Sequence, residues 1–288
     1  MKKNLRNLQD KASRLANMYR SVAVLAFTGV ICFAGVQPSL AQTSDARRFN
    51  SETPTVFQAA GPNAASIQGT VDQFRAALGT GDNKNNAGPL TTGHREINWD
   101  GGGSTATSVG ATPFTVFLNT RGANITTNGT GFVQAPASGL ATTFNNPTYA
   151  NIFQAFSPVR LFSPIGSNVT EVEFSVPGSN GGQAATTNGF GVVFTDVDRP
   201  DGRGLLEQLF ASTHVQFFDA KGRLLFSSFV PASPGDASLS FFGVTFKDAR
   251  IAKVRITTGN SKPGPNDGRG IDIVMMDDWL YGEPLAQN

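Results

Sequence analysis

Short segments of alternating apolar and polar residues recur through the C-terminal two-thirds of the chain. In one of them Val172, Phe174 and Val176 alternate with polar residues, and a Pro-Gly pair follows. Successive side chains of a strand point to opposite faces, so this pattern predicts a strand with one buried face. Similar segments, separated by turn residues, follow at 189–198, 214–218, 223–229, 239–246, 251–257 and 271–281. Short strands at this spacing, without alternating helices, predict an all-β fold, an antiparallel β-sandwich of jelly-roll type.

The segment 189–198 predicts a central strand that ends in two carboxylates. Both sets of alternate residues are largely apolar, as expected for a strand that is covered on both sides. Asp196 and Asp198 continue one of these faces, so their carboxylates would point the same way and repel each other. Two partners would neutralise them, either a hard cation such as calcium or a nearby arginine such as Arg199.

The last predicted strand, 271–281, carries a second acidic pair. Asp277 and Asp278 are adjacent, so they would point to opposite faces and one of them would be directed toward the interior. A buried carboxylate costs several kcal/mol unless it is paired or bound to a metal. We therefore expect a strong partner for at least one of the two, either a cation or a cluster of arginine and backbone donors.

A third polar segment follows a turn-rich linker. Ile97 and Trp99 alternate there with Glu96, Asn98 and Asp100, as in a half-exposed strand. These polar side chains either supply oxygen ligands of the kind that calcium prefers or form the solvated face of an edge strand. The candidate ligands of a structural calcium ion are therefore the six acids Asp196, Asp198, Asp277, Asp278, Glu96 and Asp100. No spacing among them selects a catalytic pair.

Residues 1–41 have the pattern of an export signal. A basic stretch is followed by an apolar run of sixteen residues and by the small-x-small sequence Ser39-Leu40-Ala41. The run is short for a membrane span, so we expect cleavage after Ala41 and a secreted or periplasmic mature chain without a membrane span. Residues 42–90 then predict an N-terminal arm with one short helix, 70–79, capped by Thr70, and residues 91–288 the β-sandwich domain.

Removing the leader changes the charge and the chemistry of the chain. Of 23 Lys/Arg and 21 Asp/Glu residues, six basic and one acidic lie in residues 1–41, which leaves 17 against 20 and a net charge of −3. No basic footprint for nucleic acid is left. The only cysteine, Cys32, also leaves with the leader, and two histidines do not favour a zinc site. The sequence has no nucleophile-elbow or phosphate-loop motif.

Four sequence words stand out: Arg95-Glu96-Ile97-Asn98-Trp99-Asp100-Gly101, Gly189-Phe190-Gly191-Val192-Val193-Phe194-Thr195-Asp196-Val197-Asp198, Phe241-Phe242-Gly243-Val244 and Asp277-Asp278-Trp279-Leu280-Tyr281-Gly282-Glu283-Pro284. With most of residues 91–284, they resemble a group of uncharacterised exported bacterial β-sandwich proteins, some of which end in a Pro-Glu-Pro sorting tail. The resemblance implies an exported β-sandwich and no particular activity. Because no such tail precedes Asn288, we expect release or periplasmic residence. The closing Asp-x-x-Tyr strand is also similar to that of galactose-binding-like jelly rolls, in which structural calcium is common.

Three functions are compatible with these features. The leading one is an exported, non-catalytic module that binds a glycan or another cell-surface polymer and is stabilised by calcium, with Trp99 or Trp279 as candidate sugar-stacking residues. The second is a carboxylate-dependent glycan-degrading enzyme, which a raised carboxyl pKa in an open cleft would favour. The third is a structural or matrix protein without a small ligand, which a free sheet edge would favour. The oligomeric state is not indicated.

Overall fold

The computed structural model of the chain describes residues 53–101, 103–199 and 212–287. The described residues form four helices, α1 (Ala64–Leu78), α2 (Leu118–Arg121), α3 (Ala137–Thr143) and α4 (Tyr149–Ile152). Their strands are β1 (Thr55–Gly61), β2 (His94–Ile97), β3 (Ser108–Gly110), β4 (Ala123–Thr126), β5 (Gly131–Ala135), β6 (Leu161–Ile165), β7 (Val169–Phe174), β8 (Ala185–Thr186), β9 (Gly189–Thr195), β10 (His214–Phe218), β11 (Leu224–Phe229), β12 (Leu239–Thr245), β13 (Lys253–Thr257), β14 (Met275–Gly282) and β15 (Leu285–Ala286). The predicted export signal, 1–41, lies outside the described residues.

Two antiparallel sheets and a two-stranded ribbon are formed by these strands. The larger sheet has the order β1-β12-β9-β14-β6-β5-β3, with β2 also paired to β14, and the smaller sheet has the order β11-β10-β13-β7-β4. The ribbon pairs β15 with β8. Side chains of both sheets meet in one apolar core, where Phe190 and Trp279 of the larger sheet cluster with Val172, Phe217 and Val254 of the smaller one. The prediction of a mostly β protein with two packed antiparallel sheets is therefore confirmed.

Strand β9 is central and covered on both sides, as its sequence predicts. It pairs with β12 on one edge and with β14 on the other. Phe190, Val192 and Phe194 face the core between the sheets, whereas Val193 on the opposite face packs under α1. Every residue of the strand is buried. The continuous apolar run thus reflects cover on both faces of the sheet.

Helix α1 covers the outer face of the larger sheet at β9 and β12. Its buried residues Ile67, Val71, Phe74 and Leu78 recur at helical spacing, and the helix ends before Gly79 as predicted. The predicted start at residue 70 is wrong, because the side chain of Asn63 caps the helix by accepting a hydrogen bond from the Ser66 N–H. The two turns before Thr70 contain only one large apolar residue, which weakens the periodic signal there.

The ring of Phe74 sits against two glycines that are opposite each other on adjacent strands. Gly191 of β9 is the register partner of Gly243 of β12. A Cβ atom at Gly191 would lie 2.7 Å from the Phe74 ring, and one at Gly243 would lie 2.8 Å from it. These glycines therefore create the depression in the sheet into which Phe74 packs.

The N-terminal and central segments are more ordered than the sequence predicts. Within the segment read as an irregular arm, β1 pairs with β12 over seven residues and forms one edge of the larger sheet. Further along, α3 and α4 cover the other half of the outer face, where Leu140 and Tyr149 pack against Met275. The prediction of a single short helix is therefore wrong. The short helices lack a full apolar period, because each supplies only one large buried side chain.

Candidate functional site

The acidic pair on β14 occupies a β-bulge in the middle of the larger sheet. The register of β14 against β9 shifts between Met276 and Trp279, so Asp277 and Asp278 leave the regular ladder. On its other edge β14 pairs first with β6 and then with β2. Because of the shift, Met276 and Trp279 belong to the same core. The predicted strict alternation along this strand is therefore wrong, and both carboxyl groups are buried.

Ser157 connects three buried aspartates at this bulge. Its backbone N–H donates to Asp277 Oδ2 at 3.3 Å, and its hydroxyl donates to Asp278 Oδ1 at 2.6 Å and Asp100 Oδ2 at 3.4 Å. The Phe156 N–H also donates to Asp277 Oδ2, at 2.5 Å. Asp100 Oδ1 in turn accepts the N–H groups of residues 159 and 160 at 2.7 and 2.9 Å. The three carboxyls therefore hold the connection between α4 and β6 against the sheet.

Burial shifts the protonation of both Asp277 and Asp278. Burial, together with the charge of Asp278, raises the pKa of Asp277 well above its ordinary value, and burial raises the pKa of Asp278 to about 6. Two buried carboxyl groups this close do not both ionise readily, because each negative charge disfavours the charged form of the other. Asp277 Oδ1 is buried and has no hydrogen-bond partner. Of the two kinds of partner expected from the sequence, the arginine and backbone donors are present here. Asp277 Oδ2 accepts backbone N–H groups, and Asp278 Oδ2 lies 3.9 Å from Arg75 Nη2.

Glu96 belongs to a neighbouring network under α1. Arg75 donates to both of its carboxylate oxygens, at 2.8 and 3.2 Å, and His94 Nε2 lies 2.9 Å from Oε1. Burial alone would raise the pKa of Glu96, but His94 and Arg75 lower it to about 2. Burial would lower the pKa of His94, yet the bonds to Glu96 and to the Gly79 carbonyl raise it overall. The oxygens of Glu96 are therefore occupied by protein cations.

Asp196 lies elsewhere, just beyond the end of β9. Its φ angle of 70° is left-handed, so the side chain leaves the strand alternation and Val197 joins the same core as Phe194. The prediction that Asp196 and Asp198 continue the Phe190 face is therefore wrong. Asp196 is only 6% exposed, and its Oδ1 atom has no hydrogen-bond partner. Burial, followed by the negative charges of Asp198 and of three other aspartates, raises its pKa to about 8.

The three other aspartates come from loops that sequence reasoning did not connect with β9. They are Asp236, Asp267 and Asp272. Asp272 is 2% exposed, and its carboxylate accepts the Ser212 hydroxyl and, at 3.4 Å, the Asp198 N–H. Asp198 is exposed and accepts the Gly235 N–H at 2.9 Å. We call these five residues the aspartate end of the sandwich: Asp196, Asp198, Asp236, Asp267 and Asp272.

The structure thus separates the six predicted metal ligands into two places. Asp277, Asp278, Asp100 and Glu96 lie around the β14 bulge, where protein donors contact all four, whereas Asp196 and Asp198 lie at the aspartate end. Within the described ranges, no three His, Cys, Asp or Glu side chains are arranged as a ready-made metal cage. Calcium binding by these residues stays a prediction.

The buried ion pair between Arg95 and Glu283 was not predicted from the sequence. Arg95 is fully buried, and its guanidinium donates through Nε and Nη2 to the two oxygens of Glu283, both at 2.7 Å. Its Nη1 atom donates to the carbonyls of Lys84, Asn86 and Thr120. Glu283 also accepts the Asn83 amide at 2.8 Å. The pair therefore joins the end of β14 to the linker before β2. The two residues are 188 positions apart, and no local pattern links them.

Two adjoining cavities lie at the opposite end of the sandwich from the aspartates. One, of about 540 Å³, lies between the C-terminus of α1 and the β12–β13 connection and is lined by Thr91, Thr92 and Asn188 among others. The second, of about 410 Å³, borders the β10–β11 turn. Ala249 and Leu285 line both cavities, and Leu285 is 40% exposed on the ridge between them. We call this region the cavity end.

Neither tryptophan is available for stacking against a sugar. Trp99 and Trp279 are 1% and 0% exposed and pack against each other edge to face, 5.1 Å apart. Trp99 also stacks on Phe162 at 3.7 Å and donates its indole N–H to the Asp277 carbonyl. The two residues therefore belong to the core, and the lining residues at the cavity end include no aromatic side chain.

Comparison of the chain with protein-family models, curated proteins and solved structures found no match. In the part of the chain that the structure describes, no helix has the length and apolar character needed to cross a bilayer.

Proposed function

We propose that the chain is an exported, non-catalytic binding module that presents the cavity end of a β-sandwich to a glycan or a related cell-surface polymer. The observation that supports this proposal is the pair of adjoining open cavities with an exposed leucine on the ridge between them. Loops clustered at one end of a sandwich commonly carry the ligand site, because the sheets hold them rigidly. The jelly-roll strand order and membership in the resembling exported group stay part of the proposal.

The lining chemistry favours a polymer rich in hydroxyl groups. Thr91, Thr92 and Asn188 line one cavity and Thr186 and Gln287 the other, so both offer donors and acceptors. Four cationic side chains also line the surface, against three carboxylates, one of which, Glu283, is neutralised by Arg95. This balance favours acidic polysaccharides over neutral ones. Without an aromatic platform, affinity comes from hydrogen bonds and charge, and we expect it to be modest.

The enzyme alternative requires a raised carboxyl pKa in an open cleft. Asp278, with a pKa of about 6, is 3% exposed and faces Ser157 beneath α1, and Asp196 lies at the aspartate end. Neither residue lines either cavity. The carboxyls with the most perturbed pKa values therefore do not meet a substrate at the proposed surface, and this separation favours binding over hydrolysis.

One observation favours the structural alternative. Strands β1 and β11 are the outermost strands of their sheets, and neither contains a charged residue. Uncharged edges are templates for pairing with another chain. A matrix protein would use them for self-assembly and would form oligomers that grow with concentration in the absence of any polymer.

The proposal is tested by retention of the chain on a panel of immobilised acidic and neutral polysaccharides. We expect binding to acidic members, weakened at least about tenfold by Leu285→Ser, because this side chain borders both cavities; tenfold corresponds to about 1.4 kcal/mol. Val109→Ser is the matched control, since Val109 is 63% exposed on β3 and lines neither cavity. Equal binding by both variants, or no retention of the wild type, would contradict the proposal. Release of soluble sugar would support the enzyme alternative.

A further inference from the structure

The aspartate end combines buried negative charge with an unsatisfied oxygen. Asp196 Oδ1 is buried and has no hydrogen-bond partner, although the residue is more than nine-tenths buried. A buried carboxylate oxygen in this condition is costly, and native proteins rarely leave one unpaired. The described charged groups that act most strongly on Asp196 are all carboxylates.

The aspartates near Asp196 offer carboxylate oxygens that could act as metal ligands. The Asp272 carboxylate accepts the Ser212 hydroxyl, and the Asp198 carboxylate accepts the Gly235 N–H. The positive charge of Arg199 acts on Asp272. A set of carboxylates on loops at a sheet end is the environment that a hard cation with a flexible shell of oxygen ligands prefers.

We propose that the aspartate end binds a calcium ion through Asp196, Asp198 and Asp272. Magnesium is disfavoured, because it demands a compact octahedral shell, whereas calcium accepts six to eight oxygens at flexible distances. Among the described residues no three such side chains already stand together as a metal site, so binding would draw these loop aspartates toward the ion, and water would complete the shell. Sites of this open kind have dissociation constants of about 0.1–1 mM, the range of extracellular calcium modules. The proposal is independent of polymer binding at the cavity end.

The test is thermal unfolding of the full chain, expressed with its own leader, in chelator, calcium or magnesium. Calcium at about 5 mM should raise the Tm of the wild type by roughly 3 °C, since a ligand bound only by the folded state stabilises it. Asp196→Asn should lose this rise while keeping at least the wild-type Tm in chelator, because the variant no longer buries an unpaired carboxylate. Asp248→Asn is the control, since this aspartate is exposed and paired with Arg250.

Three results would overturn the proposal: no calcium-dependent rise in the wild type, an equal rise with magnesium, or an unchanged rise in Asp196→Asn. If Asp196→Asn does not fold, Asp198→Asn is used for the same test. Asp198 is exposed, so its replacement does not disturb the packing of the core. Failure of this site leaves polysaccharide retention unaffected, whereas failure at the cavity end leaves the calcium shift unaffected. The two proposals are therefore distinguishable.

Discussion

Replacing Glu283 with glutamine leaves the buried guanidinium of Arg95 without its counter-charge. Arg95 is 0% exposed and the Glu283 side chain 4%, so water cannot take over the lost interaction. Removing one partner of a buried ion pair costs about 3–5 kcal/mol. The three carbonyl groups that accept from Arg95 Nη1 remain in the variant. We therefore expect the loss in the free energy of unfolding to lie near the lower limit, at about 3 kcal/mol.

Urea-induced unfolding followed by tryptophan fluorescence measures this loss directly. Trp99 and Trp279 are both buried, so their emission changes when the sandwich opens. The matched control is Glu173→Gln, because Glu173 is exposed on β7, and its replacement should change the free energy of unfolding by less than about 0.5 kcal/mol.

A double variant isolates the pair from the rest of the network. Arg95→Met together with Glu283→Gln removes both charges, so its loss should be smaller than the sum of the two single losses by about 2 kcal/mol. A loss below about 1 kcal/mol for Glu283→Gln, or additive single losses, would refute the idea that an uncompensated charge causes the effect.

Two further predictions concern the outer face of the larger sheet. Gly191→Ala places a Cβ atom 2.7 Å from the Phe74 ring and should lower the free energy of unfolding in urea by about 1–3 kcal/mol. The control Gly69→Ala lies on α1, where nothing is within 4 Å of the added atom, and should not destabilise the fold. Equal effects of the two variants would contradict the packing argument. Because Glu96 has a lowered pKa of about 2, its contribution is present above the ordinary pKa of 4.5 and is lost as the pH falls toward 2. Glu96→Gln should therefore be about 2 kcal/mol less stable than the wild type at pH 6 and nearly equal to it at pH 2; a gap that is independent of pH would be evidence against the ionic partners.

The strands were predictable where alternation and turn residues agree. The boundaries of β10 match the prediction, and β9 has the two covered faces that its apolar run indicates. Strand β1 was missed because Thr55–Gly61 has only two large apolar residues, and what makes it a strand is a partner almost two hundred positions away. Helix α1 was placed correctly at its end, where Gly79 gives a local signal, and wrongly at its start.

The sequence indicated which acidic residues are buried, but not how they are arranged in space. Sequence reasoning selected carboxylates that are indeed buried, such as Asp277 and Asp196, because acids inside apolar strands are conspicuous. It could not foresee the bulge at Asp277 or the left-handed turn at Asp196, since both depend on how the neighbouring strands are aligned. Asp236, Asp267 and Asp272 reach Asp196 only through tertiary folding, and no spacing in the sequence indicates that they meet.

The position of β14 in the middle of the larger sheet sets the order in which the protein can be completed during its synthesis. Strands β9, β6 and β2 all pair with this segment, which leaves the ribosome after all three of them. Until it arrives, the earlier strands lack their common neighbour, and contacts over such long sequence separations form slowly. These strands of the larger sheet therefore stay incompletely paired until β14 has been synthesised. For a chain with the predicted N-terminal leader, that delay preserves the unfolded form that a translocation channel can accept.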